Sequence, residues 1–164
     1  MTGVRIRAAT PADAAVLAEM ANALNRHVGI GTDPFTPAIV RRDGFGDDAV
    51  FRALLAEIDG AVAGYAIFIR NYNTDVAART ILLCDLFVRE TARRRGAGRA
   101  LMAAVAAETV ARGARLLEWG VHDANEGARE FYRRLGARQH AVRIMELGGE
   151  ALATLARTYP EGHT

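Results

Sequence analysis

The sequence predicts an α+β fold in which one sheet is flanked by helices. Apolar residues recur at helical spacing in some segments and form short extended runs in others, and turn or cap residues separate these segments. The predicted elements follow one another in the order β-α-α-β-β-β-α-β-α-β. Strands and helices are therefore interleaved along the whole chain rather than separated into halves.

The N-terminal part combines one short strand with two helices. Thr10-Pro11 and Thr36-Pro37 each pair an N-cap residue with a proline at the first helical position. The first helix carries one apolar stripe, formed by Val16, Leu17, Met20, Ala23 and Leu24. We predict a strand over Val4–Ala8, a helix from Thr10 to about Arg26, and a short second helix that Gly44 and Gly46 end.

Three strands are predicted next. Asp59-Gly60 is a strong hairpin turn between the runs Phe51–Ile58 and Ala61–Arg70. The run Ile81–Val88 is almost wholly apolar, which is typical of a strand that is buried on both faces.

The C-terminal part adds two helices and two strands. A helix extends to Arg112 and a strand covers Leu116–Val121. Asn125–Leu135 forms a helix that Gly136 closes. A last strand over Ala141–Leu147 precedes a polar C-terminal tail.

Composition limits the classes of protein that the chain can represent. Its 164 residues, 51% of them hydrophobic and 24% charged, indicate one ordinary globular domain over residues 1–164. No apolar run approaches a membrane span, and the N-terminus lacks the apolar core of a signal peptide. The single cysteine agrees with a reducing cytoplasm, and a net charge of +2 is too small to indicate nucleic-acid binding.

An arginine- and glycine-rich turn follows the apolar strand and opens onto a helix. Its two glycines, Gly96 and Gly98, let the backbone approach a ligand closely, and the free N–H groups at the helix start favour an anion. Around them stand the donors Arg93, Arg94, Arg95 and Arg99, whose planar guanidinium groups suit phosphate oxygens. The turn therefore predicts a site for a di- or polyphosphate.

Two common phosphate-binding motifs are excluded. A Walker loop requires a lysine, and the chain contains none. A dinucleotide-binding fingerprint requires a third glycine, and Met102 stands in its place.

The pattern Arg93-x-x-Gly96-x-Gly98 resembles the acetyl-CoA pyrophosphate loop of the GCN5-related N-acetyltransferases. The element order matches that family across nearly the whole chain. The resemblance implies a mixed, mostly antiparallel sheet, with acetyl-CoA bound where the fourth and fifth strands splay apart. Ala97, between the two glycines, belongs to the same loop.

A second segment, Asn125 to Ala137, closely resembles the family motif whose tyrosine sits beside the sulfur of coenzyme A. By that resemblance Tyr132 would protonate the departing thiolate, and Asn125 would bind the pantetheine arm. Helical geometry places Ala128 on the same face as both.

The strand before the loop can pair with the amides of the pantetheine arm as another strand would. This assigns the cofactor to the backbone of Leu86, Phe87 and Val88, and an N–H of Phe87 or Val88 could polarise the thioester carbonyl. The acceptor amine must arrive neutral and attack the thioester directly.

Within the family, the sequence is most similar to the diamine (spermidine/spermine) and thialysine acetyltransferase branch. The similarity rests on three segments, Arg42–Gly46, Asn71–Thr74 and Leu83–Val88. Cys84 stands where that branch has a glutamate, and Ala124 replaces a tryptophan. The loss of acidic groups weakens the case for a polycationic substrate.

Four residues are candidates for the acceptor side. Alternation along the strand would put Cys84 and Leu86 on one face and Asp85 and Phe87 on the other. Cys84 is expected to be a small buried hydrophobe rather than a nucleophile. Asp85 could align the substrate, assist deprotonation, or be structural. His27 and His122 could also face the substrate, but no histidine has metal-ligand spacing, so no metal is expected.

Together these features predict a cytoplasmic, acetyl-CoA-dependent N-acetyltransferase that acts on the primary amine of a small molecule. The amine would be a polyamine, a diamine or a lysine-like compound. Alternatives are acetylation of a protein or peptide, use of a longer acyl-CoA, and a CoA-binding regulatory module with little activity. The resemblance also implies a homodimer, with neither nucleic acid nor membrane as partner.

Overall fold

The computed structural model describes residues 3–159 and contains a five-stranded sheet in the order β1-β2-β3-β4-β5. The strands are β1 (Arg5–Ala8), β2 (Arg52–Ile58), β3 (Ala61–Asn73), β4 (Ala78–Val88) and β5 (Leu116–Trp119). The first four are antiparallel to their neighbours, and β5 runs parallel to β4. The predicted mixed, mostly antiparallel sheet is confirmed.

Five helices accompany the sheet. They are α1 (Ala14–His27), α2 (Pro37–Gly44), α3 (Ala97–Ala111), α4 (Glu126–Arg134) and α5 (Gly149–Ala156), and short 3-10 turns cover Pro11–Asp13 and Glu90–Ala92. Both predicted proline starts are confirmed, since Thr36 caps α2 through its side chain and Thr10 precedes the 3-10 turn that leads into α1.

The hairpin between β2 and β3 turns at Asp59 and Gly60, as predicted. Both residues have positive φ, 54° and 81°. Such values suit the two-residue turn that joins tightly paired, twisted strands. The hairpin fixes the register of β3, the central strand.

The two faces of the sheet carry separate helices. On one face, α1 and α2 bury Leu17, Met20 and Val40 against Leu55 and Tyr65 of the sheet. Adjacent strand residues point to opposite faces, so the buried Phe68 belongs to the other face. There α3 packs on β2, β3 and β4. The sheet is thus the middle layer of the unit Met1–His122.

The unit Asp123–Thr164 differs from the sequence prediction. The predicted strand over Ala141–Leu147 is not formed, and Val142 and Ile144 are 80% and 88% exposed. The apolar pattern of this segment suits a strand, but a strand needs a hydrogen-bonded neighbour and the described residues supply none. The tail predicted to be polar contains α5, whose alanines and leucines favour a helix.

Three strand boundaries also differ from prediction by two residues or more. The hairpin partner β3 continues to Asn73 rather than ending at Arg70, β4 begins at Ala78 rather than Ile81, and β5 ends at Trp119 rather than Val121. Across residues 3–159, no helix has both the length and the apolar character needed to cross a bilayer.

Candidate active site

Cys84 interrupts the regular pairing of β4. The register passes from Asp85 opposite Ile67 to Leu83 opposite Phe68, so Cys84 has no partner residue in β3. Such a bulge breaks the alternation of side chains. Leu83 and Asp85, although two residues apart, therefore lie on opposite faces of the sheet. The prediction of unbroken alternation is wrong at Cys84, whereas Asp85 and Phe87 share a face as predicted.

The expectation that Cys84 is buried is also wrong, because its side chain is exposed. Its Sγ lies 3.8 Å from the carbonyl oxygen of Leu82. Partial desolvation and the charge of Asp85 raise the pKa of the thiol. Since only the thiolate is a good nucleophile, this environment argues against covalent catalysis by Cys84.

Asp85 is held by a tyrosine that the sequence prediction did not include. The hydroxyl of Tyr65 donates a 2.9 Å hydrogen bond to Oδ2 of Asp85, and Tyr65 is fully buried. Burial raises the pKa of Asp85, and the hydrogen bond from Tyr65 opposes that rise. Burial and the charge of Asp85 raise the pKa of Tyr65, so the phenol remains a neutral donor. A carboxyl group of this kind can accept a proton more readily than an exposed aspartate.

The parallel pairing between β4 and β5 ends before β4 does. The last paired residues are Leu83 and Trp119, and β4 continues to Val88. The segment Leu86–Val88 is therefore paired with β3 on one side and has no pairing with β5 on the other. Backbone groups on that side can accept an extended, amide-bearing ligand.

The arginine-rich loop folds back sharply after β4. Arg94 and Gly96 have left-handed φ values of 61° and 89°. Arg93 donates from Nε to the carbonyl oxygen of Val88 at 3.3 Å. Arg95 forms a 2.7 Å ion pair with Asp59 of the β2–β3 turn. All four predicted arginines are exposed, but the guanidinium group of Arg95 is paired with a carboxylate.

The loop ends at the start of α3. Gly96 is the N-cap, and its carbonyl oxygen accepts the first helical hydrogen bond, from Ala100 at 3.0 Å. The N–H groups of Ala97, Gly98 and Arg99 therefore lack intrahelical acceptors. Together with the positive end of the helix dipole, they form an arrangement suited to a phosphate.

In the unit Asp123–Thr164, α4 begins as predicted. The side-chain oxygen of Asn125 accepts a 3.1 Å hydrogen bond from the N–H of Ala128. Tyr132 is partly buried, and its ring centroid lies 5.2 Å from that of Phe131. Burial raises the pKa of the Tyr132 phenol, which therefore keeps its proton at neutral pH.

The histidine candidates are not joined to Asp85. His27 is the last residue of α1, and His122 follows β5 by three residues; both are exposed. Neither imidazole hydrogen-bonds to Asp85 or Cys84 among the residues that the structure describes. In the same part of the chain, no group of three His, Cys, Asp or Glu side chains could hold a metal ion.

The sequence prediction also missed Gly64, which faces the end of β4. A Cβ at this position would lie 2.5 Å from the carbonyl oxygen of Phe87 and 3.2 Å from Cα of Val88. Only glycine permits this approach without movement of the backbone. A single glycine inside an apolar strand is a signal of such close contact.

Known proteins share this sequence pattern. The model of the acetyltransferase (GNAT) family matches residues 18–137. The chain is 38% identical over 98 residues to an L-ornithine N5-acetyltransferase of Arabidopsis thaliana, a match that covers 59% of this chain and 43% of that protein. It is 31% identical over 129 residues to the thialysine N-epsilon-acetyltransferase of Bos taurus, which covers 71% of this chain and 75% of that protein.

A solved structure shares the fold. An integron cassette protein of V. cholerae superposes with a TM-score of 0.79 at 20% sequence identity, covering 96% of this chain and 99% of that one.

Proposed function

The chain belongs to the acetyltransferase (GNAT) family, and from this premise we propose that it transfers the acetyl group of acetyl-CoA to the primary amine of a small molecule. That it is an acetyl-transferring enzyme follows from the family and from its named relatives. Both relatives named above act on the side-chain amine of a basic amino acid, according to their names. This agrees with the diamine and thialysine branch, so the proposed acceptor is a diamine, a polyamine or a lysine-like amine.

The observation that carries the proposal is the continuity of the donor side. The unpaired side of Leu86–Val88 leads within a few residues to the left-handed Gly96 and the free N–H groups of α3. An extended pantetheine arm and a pyrophosphate occur in the same order in acetyl-CoA. Backbone pairing along β4 would bind the arm, and Ala97, Gly98 and the loop arginines would bind the phosphates.

On the acceptor side, the amine must lose its proton before it can attack. An ammonium group with a pKa near 10.4 is almost fully protonated at neutral pH. Asp85 is the proposed acceptor of that proton, directly or through water, because burial raises its pKa and Tyr65 holds its carboxyl group in place.

The neutral amine would then attack the thioester carbonyl in a ternary complex. The new C–N bond forms as the C–S bond breaks, and a backbone N–H of Phe87 or Val88 would stabilise the developing oxyanion. Tyr132 is the proposed donor of the proton that the departing thiolate takes up. Its raised pKa keeps that proton available until the thiolate forms. The proton that the attacking nitrogen loses as it becomes an amide would return to the Tyr132 phenolate through water.

A thiol-release assay tests the proposal. Acetyl-CoA would be offered with ornithine, lysine, thialysine, simple diamines, spermidine, an aminoglycoside and a peptide with a free N-terminus. Release of thiol with a small amine, together with mass-spectrometric detection of the acetylated amine, is the expected result. Turnover of the peptide alone would favour a protein acetyltransferase. Binding of acetyl-CoA without turnover of any amine would favour a regulatory module.

A further inference from the structure

Arg89 lies at the point where β4 ends and the arginine-rich loop begins. It directly follows Val88, the last residue of β4, and it precedes the 3-10 turn Glu90–Ala92 that leads into the loop. Its backbone N–H donates a 2.8 Å hydrogen bond to the carbonyl oxygen of Ala63, so the pairing with β3 continues to this residue. Arg89 is therefore the junction between the segment proposed to bind pantetheine and the segment proposed to bind pyrophosphate.

The side chain of Arg89 connects this junction to α1 and to β3. Its two Nη atoms donate to the two carboxylate oxygens of Glu19 at 2.8 and 2.9 Å, and its Nε donates to the carbonyl oxygen of Val62 at 3.3 Å. A guanidinium group and a carboxylate in this two-pronged arrangement have a defined relative orientation. All three nitrogens have protein acceptors, so Arg89 is suited to hold the backbone in place rather than to bind a phosphate.

Glu19 belongs to a well-packed part of α1. Its neighbours Ala18 and Met20 are buried, and so is Leu17. The hydrogen bonds from Arg89 hold the pKa of Glu19 below its usual value, so the carboxylate stays charged at neutral pH. The ion pair thus connects the start of the loop to a helix whose place on the sheet is set by core packing.

The position of this junction matters because acetyl-CoA would contact both sides of it at once. A ligand with two linked halves binds tightly only when its two binding segments have the matching spacing, since the first half to bind then holds the second at a high effective concentration. Residues 93–96 have no regular secondary structure, and Arg94 and Gly96 have left-handed φ. A side-chain contact with α1 at the start of this stretch determines where the loop leaves the sheet.

We propose that Arg89, through its two-pronged contact with Glu19, is a positioning residue that sets the spacing between the segment Leu86–Val88 and the start of α3. The inference rests on the proposed function and adds to it a residue that does not itself touch the cofactor. Loss of the contact should weaken the binding of whole acetyl-CoA. It should leave unchanged the binding of fragments that occupy only one of the two segments.

Arg89→Lys tests this role while conserving the charge near the loop. Lysine is a point charge on a flexible stem and cannot form the two-pronged contact with Glu19. Dissociation constants would be measured for acetyl-CoA by calorimetry, and for pantetheine and adenosine 3′-phosphate 5′-diphosphate by NMR titration. Arg42→Lys is the matched control, because Arg42 makes a comparable two-pronged contact with Asp43 within α2.

The expected result for Arg89→Lys is a rise of about two- to fivefold in the dissociation constant of acetyl-CoA, with both fragment constants unchanged. The effect is modest because the two side chains are 34% and 57% exposed, and exposed ion pairs contribute little. Arg42→Lys should bind all three probes as the wild type does. An unchanged acetyl-CoA constant in Arg89→Lys, or an equal loss of affinity for either fragment, would overturn the assignment.

Glu19→Gln separates geometry from net charge, and it serves as the second variant if Arg89→Lys does not fold. The change removes a negative charge close to the loop, so electrostatics alone would strengthen the binding of acetyl-CoA. Loss of the two-pronged contact should instead weaken it, by about twofold or more at about 0.5 M salt, where charge effects are screened. Equal or tighter binding by folded Glu19→Gln at this salt concentration would contradict the positioning role.

The proposed function and the role of Arg89 can fail separately. Absence of acetyl-CoA binding by folded wild-type protein would overturn both. Binding and turnover by the wild type, with an equal acetyl-CoA constant in Arg89→Lys, would support the proposed function and overturn the role of Arg89 alone.

Discussion

The hydroxyl of Tyr65 lies 2.9 Å from Oδ2 of Asp85, across the two central strands of the sheet. The tyrosine is fully buried in the core beneath α1 and α2, so its donor position is fixed by packing. The ring centroid of Phe87 lies 6.2 Å from the ring centroid of Tyr65, on the same face of the sheet. The carboxyl group proposed to receive the substrate proton is thus oriented by the hydrophobic core itself.

Replacing Tyr65 by phenylalanine should shift the pH dependence of the reaction. The hydrogen bond from Tyr65 lowers the pKa of Asp85, whereas burial raises it. Without the hydrogen bond, the pKa of Asp85 should therefore rise. The acid limb of the kcat/KM profile should then move upward by about one to two pH units, since a hydrogen bond to a charged group contributes about 1.5–3 kcal/mol and one unit corresponds to about 1.4 kcal/mol. Tyr159→Phe, at an exposed tyrosine, is the control. If the acid limb does not shift, Asp85 is not the group that accepts the proton.

Asp85→Asn should lower activity and raise stability at neutral pH. Burial raises the pKa of Asp85 above that of the unfolded chain, so the native state binds the proton more tightly. The free energy of unfolding therefore falls as the pH rises through the range above about 3.9. Asparagine has no charge to desolvate, so the variant should gain stability over wild type from acid to neutral pH. Loss of a proton acceptor should reduce kcat by about 10²–10⁴.

Urea denaturation at about pH 4 and pH 7 checks the stability part of this prediction. Asp48→Asn, at an exposed aspartate, is the matched change. A stability difference that does not vary with pH would mean that Asp85 does not titrate differently in the native and unfolded states.

Tyr132→Phe should lower kcat by about a hundredfold and leave the affinity for CoA nearly unchanged. The substitution removes the proposed proton donor but keeps the ring, which packs beside Phe131. Single-turnover kinetics and calorimetric titration with CoA measure the two effects separately. An unchanged rate of thiol release would remove the general-acid assignment from this residue.

Gly64→Ala should destabilise the end of β4. The added methyl group would lie 2.5 Å from the carbonyl oxygen of Phe87, a backbone atom that can move only with its strand. We expect a loss of about 1–3 kcal/mol in the free energy of unfolding, as for overpacked positions, together with weaker CoA binding. Gly120→Ala is the control, because nothing lies within 4 Å of a Cβ at that position. A fully stable Gly64→Ala protein would show that β3 and β4 separate easily here.

The sequence predicted those elements whose signals are local. Proline caps, the Asp59-Gly60 turn and the glycine-containing turn that leads into α3 each act within a few residues, and each prediction of this kind is confirmed. The motif residue Asn125 also caps its helix, as expected. Where a residue and its neighbours in sequence determine the backbone conformation, the sequence pattern was sufficient to predict the element.

Features that depend on pairing between distant strands were not predicted. The bulge at Cys84 exists only in the register between β3 and β4, and the side chain there is exposed, although its residue type predicted burial. The contact of Tyr65 with Asp85 and that of Asn73 with Glu118 span 20 and 45 residues of sequence. The segment 141–147 has the pattern of a strand, but pattern alone does not provide the neighbour that a strand requires.

Asp59→Asn should strengthen the binding of CoA. Asp59 has φ 54°, a conformation that asparagine also tolerates, so the β2–β3 turn should persist. The change removes the carboxylate that pairs with Arg95 at 2.7 Å and leaves this guanidinium group available to a phosphate. Because exposed ion pairs contribute about 0.2–1 kcal/mol, the dissociation constant should fall by about one and a half- to fivefold. Calorimetry at low and high salt would show the gain shrinking as salt screens the charges. Asp33→Asn breaks the comparable ion pair with Arg26, so an equal gain there would attribute the effect to net charge rather than to Arg95.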